Sequence, residues 1–326
     1  KMRKVAFLAL LTLFISSCAS LPFVEEKVEI EKNLFTNLPG SSGKVFAVKF
    51  DDTNDAHPQQ GVESADVVYI TQVEAGLTRL MGIYSSNYPE VLGPIRSARI
   101  SDLSILGEYG RVGFLYSGAQ SKMRPVIAES NLINLSAERN PPSIYFNDPS
   151  RRSPYSMMVK PNLLLEKAAE VEFAKKPGWQ HGPRAKGAKK IISAEINWPN
   201  AGYEAYWSAI DRKFLLKHNG RENIASSGIQ LGSPMMVIQM VKISPSEYGD
   251  KFGGVTPKSE VIGSGHGYLL RNQRVVKALW NRASLSEPTT WSLEDGSPAY
   301  FAPGQIWFFL TDTEPKFTYL PKPAKS

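Results

Sequence analysis

The chain has 326 residues, 42% hydrophobic and 21% charged, a balance that excludes a disordered chain, a coiled coil and a disulfide scaffold. Lys and Arg number 38 against 31 Asp and Glu, a formal charge of +7. Lys1, Arg3 and Lys4 sit in a segment expected to be removed, so the remaining basic excess is slight, and no Lys/Arg-rich run argues for nucleic acid. The one cysteine, Cys18, excludes an internal disulfide and any multi-cysteine metal site.

Arg3 and Lys4 form a positive start, residues 5–15 an apolar run, and Ser16-Ser17 lead into Cys18, the layout of a signal peptide. Eleven apolar residues reach only about 16 Å as a helix, roughly half the hydrocarbon core, so they do not make a standard membrane span. Ile15-Ser16-Ser17-Cys18 resembles a bacterial lipobox, whose cysteine is acylated and becomes the new N-terminus. Residues 1–18 are therefore expected to be a lipoprotein signal ending in Cys18, and residues 19–40 a tether. The protein is then lipid-anchored in a bacterial cell envelope, on the extracytoplasmic face.

Downstream, the alternation in VFAVKFD (45–51) predicts a strand, and VVYITQVEA (67–75) and TRLMGIYSS (78–86) predict a hairpin about Gly76. Gly93-Pro94 punctuates the chain before Ile100, Leu103 and Leu106 at helical spacing, and RVGFLYSG (111–118) returns to strand. SKMRPVIAES (121–130) and residues 160–176 read as helices. Residues 41–175 thus form a mixed α/β N-terminal domain, and the Gly, Pro and Lys of residues 176–190 an exposed linker. In residues 191–318 strand patterns crowd together, with five of the six tryptophans on or beside them (Trp198, Trp207, Trp280, Trp291, Trp307). This is expected to be a smaller, mostly antiparallel β domain, followed by a tail at 319–326, and the whole is α+β.

Several stretches carry a resemblance: AVKFDDTNDAHPQQGVESADVVYITQVEAGLTRLMGIY (47–84), GPIRSARISDLSILGEYG (93–110), Tyr116-Ser117-Gly118, DPSRRSPYSMMV (148–159), NQRVVKALWNRAS (272–284) and DGSPAYFAPGQIWFFL (295–310). Together they resemble the YerB-like lipoprotein family over nearly the whole chain after residue 40. The resemblance implies a two-domain bacterial envelope lipoprotein and assigns no activity. Two departures stand out. The family's Glu-Gly-Gly-Ile-Thr-Arg is here Glu74-Ala75-Gly76-Leu77-Thr78-Arg79, and its Pro-His-Asn is here Pro154-Tyr155-Ser156.

Common catalytic motifs are absent. His57, His181, His218 and His266 are too scattered for a His-Glu-x-x-His site, and no metal or cofactor is assigned. Ser41-Ser42-Gly43-Lys44 matches Ser-x-x-Lys without its companion motifs, and Tyr116-Ser117-Gly118 lacks the glycine of a nucleophile elbow. What remains is a polar constellation at strand ends and turns, where scaffolds present side chains to ligands. Arg96 and Arg99, near a helix expected to begin about Ser97, with Arg79, Asp102, Tyr116, Ser117, Arg151, Arg152 and Tyr155, suit an anionic envelope glycopolymer or cell-wall fragment. The plainer alternative is an ion network holding loop to sheet. Asp51 and Glu74 are candidates for the carboxylate pair of an envelope glycan hydrolase, with Tyr116 and Tyr155 as stacking or relay groups. A surface adaptor for another envelope protein is the third reading, and the tryptophans could form a carbohydrate platform or, more ordinarily, core.

Overall fold

The computed structural model describes residues 30–250 and 252–321. The expected signal segment with Cys18, residues 19–29 of the tether and residues 322–326 of the tail lie outside the described residues.

Strand β1 (Phe46–Asp51) is buried along its whole length. Its odd and even residues enter two different cores: Phe46, Val48 and Phe50 pack with Leu80 and Tyr84, whereas Ala47 packs with Met81 and Ile83. A strand covered on both faces is apolar throughout, which makes the charged residues that interrupt it, Lys49 and Asp51, informative. β2 (Val67–Gln72) and β3 (Thr78–Tyr84) form the expected hairpin, and β3 lies antiparallel to β1 with Arg79 opposite Asp51. Helix α1 (Ile100–Leu106) follows, then β4 (Gly113–Leu115) parallel to β1, α2 (Met123–Glu129) and β5 (Ile133–Asn134) parallel to β4. β6 (Tyr145–Asn147) and β7 (Met157–Val159) make a separate small hairpin, and α3 spans only Asn162–Leu165.

The second half begins with the antiparallel β8 (Lys189–Trp198), β9 (Ala201–Ser208) and β10 (Lys213–His218), edged by short β11 (Arg221–Glu222) and β12 (Gly232–Ser233). β13 (Met235–Met240) is followed by the hairpin β14 (Ile243–Gly249) and β15 (Val255–Ser259). Next come the hairpin β16 (Gly263–Arg271) and β17 (Arg274–Arg282), then β18 (Thr290–Ser292), β19 (Ile306–Thr311) and β20 (Lys316–Tyr319). β19 is parallel to β13 on one side and to β2 on the other, so one 16-stranded sheet runs through both halves of the sequence. Gln305 reinforces the junction by donating from Nε2 to the carbonyls of Val62 and Ala65.

The molecule is mostly sheet with few helices, the coarse α+β outline, and three sequence expectations need correcting. The helix expected over 160–176 stops after α3, because the backbone beyond it is captured by the sheet edge: Val45 N–H donates to Glu172 O and Ala174 N–H to Gly43 O. Residues 31–40 do not act as tether; Phe35 is 1% exposed, and its carbonyl accepts Trp179 Nε1–H at 3.2 Å. Trp179 in turn stacks on Phe301 at 5.8 Å, which anchors the segment read as an exposed linker. The tryptophans take the more ordinary of their two expected roles: Trp198, Trp280, Trp291 and Trp307 are buried, and Trp207 packs edge-on against Phe214.

Candidate functional site

The period of a strand puts Ala47, Lys49 and Asp51 on one face of β1. The β1–β3 and β2–β3 registers then bring Met81, Arg79 and Thr71 beside them. This face is apolar at one end and becomes ionic toward Asp51. Lys49 is fully buried beneath α1, where Nζ lies 2.5 Å from Asp102 Oδ1 and 3.3 Å from Thr71 Oγ1. Asp102 also accepts the Arg99 backbone N–H at 2.7 Å, so the start of α1 is satisfied from within the chain.

Beyond Lys49 the ionic row opens into a cleft of about 750 Å³ whose walls include Asp51, Glu74, Arg79, Arg96 and Arg99. Asp51 accepts from Arg96 Nε at 2.5 Å, and Glu74 Oε1 lies 2.7 Å from Arg99 Nε. The Thr256 hydroxyl donates to Glu74 from β15, so the second half of the chain completes this wall. Burial raises the Glu74 pKa, but Arg99 and the Thr256 hydroxyl outweigh it and hold the carboxyl below its ordinary 4.5. Arg79 differs from its two neighbours. It donates from Nη1 to Ser97 O at 2.7 Å, and no carboxylate lies within ion-pair distance among the described residues. Burial, and after it the Arg99 charge, push its pKa down to about 9, with Asp51 offsetting part of the effect. The guanidinium stays protonated at neutral pH, at an electrostatic cost.

The turn that carries Glu74 has an unusual backbone. Ala75 has φ 58° and Gly76 φ 66°, and a Cβ on Gly76 would meet Pro199 Cβ at 2.6 Å. Glycine is required at position 76; at position 75 alanine occupies the left-handed region that disfavours a side chain.

The remaining expected site residues disperse. Asp102 is buried in its pair with Lys49 and does not face the cleft. α1 begins at Ile100 rather than near Ser97, so Arg96 lies outside it and Arg99 is its first flanking residue. Tyr116 is buried against Phe114, and Ser117, whose Oγ lies 3.3 Å from Ser97 Oγ, does not line the cleft. Arg151 is used structurally, donating to the carbonyls of Ala56 and Pro58, with Asp148 Oδ2 3.5 Å from Nε. Arg151, Arg152 and Tyr155 line a separate depression of about 420 Å³, and the Arg96 guanidinium, 5.9 Å above the Tyr155 ring, marks its border with the cleft.

Sequence reading missed Lys49, although a lysine inside an otherwise apolar strand is a signal in itself. That His57 lies close to Asp52 is legible in the sequence, but the polar cluster the two form with His218 is not. Asp52 accepts hydrogen bonds from Tyr203 Oη at 2.8 Å, Thr78 Oγ1 at 2.6 Å and Gln59 Nε2 at 3.2 Å. His57 and His218 stack above it with ring centroids 4.5 Å apart. No spacing rule links His57 to His218; pairing of β10 with β9 carries the second histidine there.

Comparison with known proteins places this architecture. Residues 35–174 match the family described as "Protein of unknown function (DUF3048) N-terminal domain", and residues 194–308 match the C-terminal domain of the same family. The chain belongs to this YerB-like family. It is similar to the Bacillus subtilis (strain 168) protein described as "Putative lipoprotein YerB", 21% identical over 279 residues that cover 80% of this chain and 79% of that one. The crystal structure of YerB protein from Bacillus subtilis superposes with a TM-score of 0.73 at 17% identity, covering 88% of this chain and 99% of that chain, and so shares its fold.

Proposed function

We propose that this chain is a lipid-anchored cell-envelope protein, held on the extracytoplasmic face through Cys18, that binds an anionic envelope ligand in the cleft around Arg79. The observation that carries the reading is Arg79 itself, a buried guanidinium at the cleft wall, crowded by Arg96 and Arg99 and unpaired with any carboxylate among the described residues. Phosphate or carboxylate groups match a guanidinium bidentately, and the cleft volume falls within the roughly 300–1,000 Å³ of pockets that enclose a drug-sized ligand. Anchoring rests on the lipobox-like sequence and on similarity to a protein described as a lipoprotein. No helix among the described residues is long and apolar enough to cross a membrane.

The glycan-hydrolase reading of Asp51 and Glu74 has less support. A glycosidase needs one carboxyl that keeps its proton near neutrality, whereas Glu74 is held ionised by Arg99 and Asp51 is occupied by Arg96. The test is retention of the full chain, in detergent, on immobilised anionic glycopolymers against neutral ones. Saturable retention that falls with salt and disappears in Arg79→Met supports the proposal; equal retention on neutral polymer, or none on any, removes it.

A further inference from the structure

The cluster on the other side of Asp51 has a different composition, with two imidazoles and one carboxylate converging from separate elements. His57 Nε2 lies 3.2 Å from Asp52 Oδ1, and His218 Nε2 lies 3.6 Å from Asp52 Oδ2. The ligand atoms of all three residues fall within 4.8 Å of one another. A tetrahedral ion at the usual 2.0–2.2 Å from nitrogen and oxygen requires neighbouring donors about 3.4 Å apart, close to the 3.2 Å between His57 Nε2 and Asp52 Oδ1; the His218 separation runs to the other oxygen, Oδ2.

His218 supplies the independent observation. The residue is 4% exposed, and its Nε2 has no hydrogen-bond partner among the described residues. The 3.6 Å to Asp52 is too long for a hydrogen bond. A buried imidazole nitrogen left unsatisfied is costly in either tautomer, and an ion binding the deprotonated nitrogen would satisfy it. The carboxylate beside it is already positioned: Tyr203, Thr78 and Gln59 all donate to Asp52, as outer groups orient a metal-bound carboxylate. Gln59 Nε2 also lies 3.4 Å from His57 Nε2, a contact that coordination by His57 would replace.

We infer that Asp52, His57 and His218 form a binding site for a divalent transition-metal ion of the zinc type. Imidazole nitrogen with a single carboxylate selects such ions over Mg²⁺ or Ca²⁺, which prefer all-oxygen shells. Three protein ligands leave a coordination position open. Both histidines line a pocket of about 390 Å³, together with Asn54, Arg221 and Ser226. The site is separate from the arginine cleft, and the inference does not rest on the function proposed for that cleft.

The experiment uses the full chain in detergent, stripped with chelator and titrated with Zn²⁺, with metal content read by mass spectrometry and Co²⁺ as a spectroscopic probe. The expected result is one Zn²⁺ per chain, a melting temperature that rises with Zn²⁺ and not with Mg²⁺, and a Co²⁺ visible spectrum of nitrogen and oxygen ligation. His218→Ala should lower affinity at least about 100-fold, and Arg79→Met should leave it unchanged. His218 is buried, so His57→Gln, at the more exposed ligand, provides a variant that retains the core; at least a tenfold loss is expected there. Absence of stoichiometric Zn²⁺ in the wild type, or uptake undiminished in His57→Gln, would overturn the inference.

Discussion

Asp51 and Asp52 are adjacent in the chain and serve two separate constellations: Asp51 accepts from Arg96 Nε at 2.5 Å, whereas Asp52 lies 3.2 Å and 3.6 Å from the Nε2 atoms of His57 and His218. Successive residues at the end of a strand point to opposite sides, so the end of β1 delivers one carboxylate to the arginine cleft and the other to the histidine pair.

Arg79 is the residue on which ligand retention should depend most. Arg79→Met is expected to weaken binding of an anionic polymer at least tenfold, about 1.4 kcal/mol. Arg79→Lys should recover only part of it, because an ammonium lacks the two-pronged geometry. Calorimetry should show a melting temperature unchanged or raised in Arg79→Met, since that change removes a buried cation without stranding a carboxylate.

Glu74 sets an acid limb. Its folded pKa lies below the ordinary 4.5, so the ionised group contributes stability in full above about pH 4.5 and loses it as pH falls through the folded value. The difference in melting temperature between wild type and Glu74→Gln should therefore be largest at neutral pH and close below pH 4.5. A gap that is constant across this range would show that the carboxylate charge is not what Arg99 holds.

Lys49 and Asp102 form an ion pair with both side chains fully buried. Burial pushes the Lys49 ammonium below its ordinary 10.5, and Asp102 opposes the shift. Lys49→Met leaves an uncompensated buried carboxylate and should cost about 3–5 kcal/mol in denaturant unfolding. The double variant Lys49→Met, Asp102→Asn should recover a large share, because the stranded charge goes with its partner.

Ala75 carries φ 58°, in the left-handed region that disfavours a side chain. Ala75→Gly should stabilise the fold by about 0.5–1 kcal/mol, the relief of left-handed strain less the entropy that glycine adds to the unfolded chain. The gain should appear in the denaturation midpoint with an unchanged m-value.

Cys18 is expected to carry the lipid. Cys18→Ser should move the protein from the membrane fraction to the soluble fraction on cell fractionation; retention in the membrane would remove the anchor from the proposal.

Local pattern made β1, the β2–β3 hairpin, α1 and most long strands of the second half legible, the first three strands as short apolar runs bounded by turns and the others as a periodic buried face written within ten residues. The residue types of the cleft were legible for the same reason: Asp51, Glu74, Arg79, Arg96 and Arg99 sit at strand ends, in a turn and beside a helix start. Their division of labour was not. Arg151 resembled Arg96 in composition and context, yet carbonyls of Ala56 and Pro58 take it elsewhere; Asp102 resembled a ligand group, yet Lys49 holds it in the core. The tertiary structure alone decided that β19 would lie parallel to both β13 and β2, that Thr256 would reach Glu74, and that His218 would stack on His57. These are long-range pairings. They depend on which strand edges meet once the whole sheet is assembled, and no residue's neighbours in sequence carry that information.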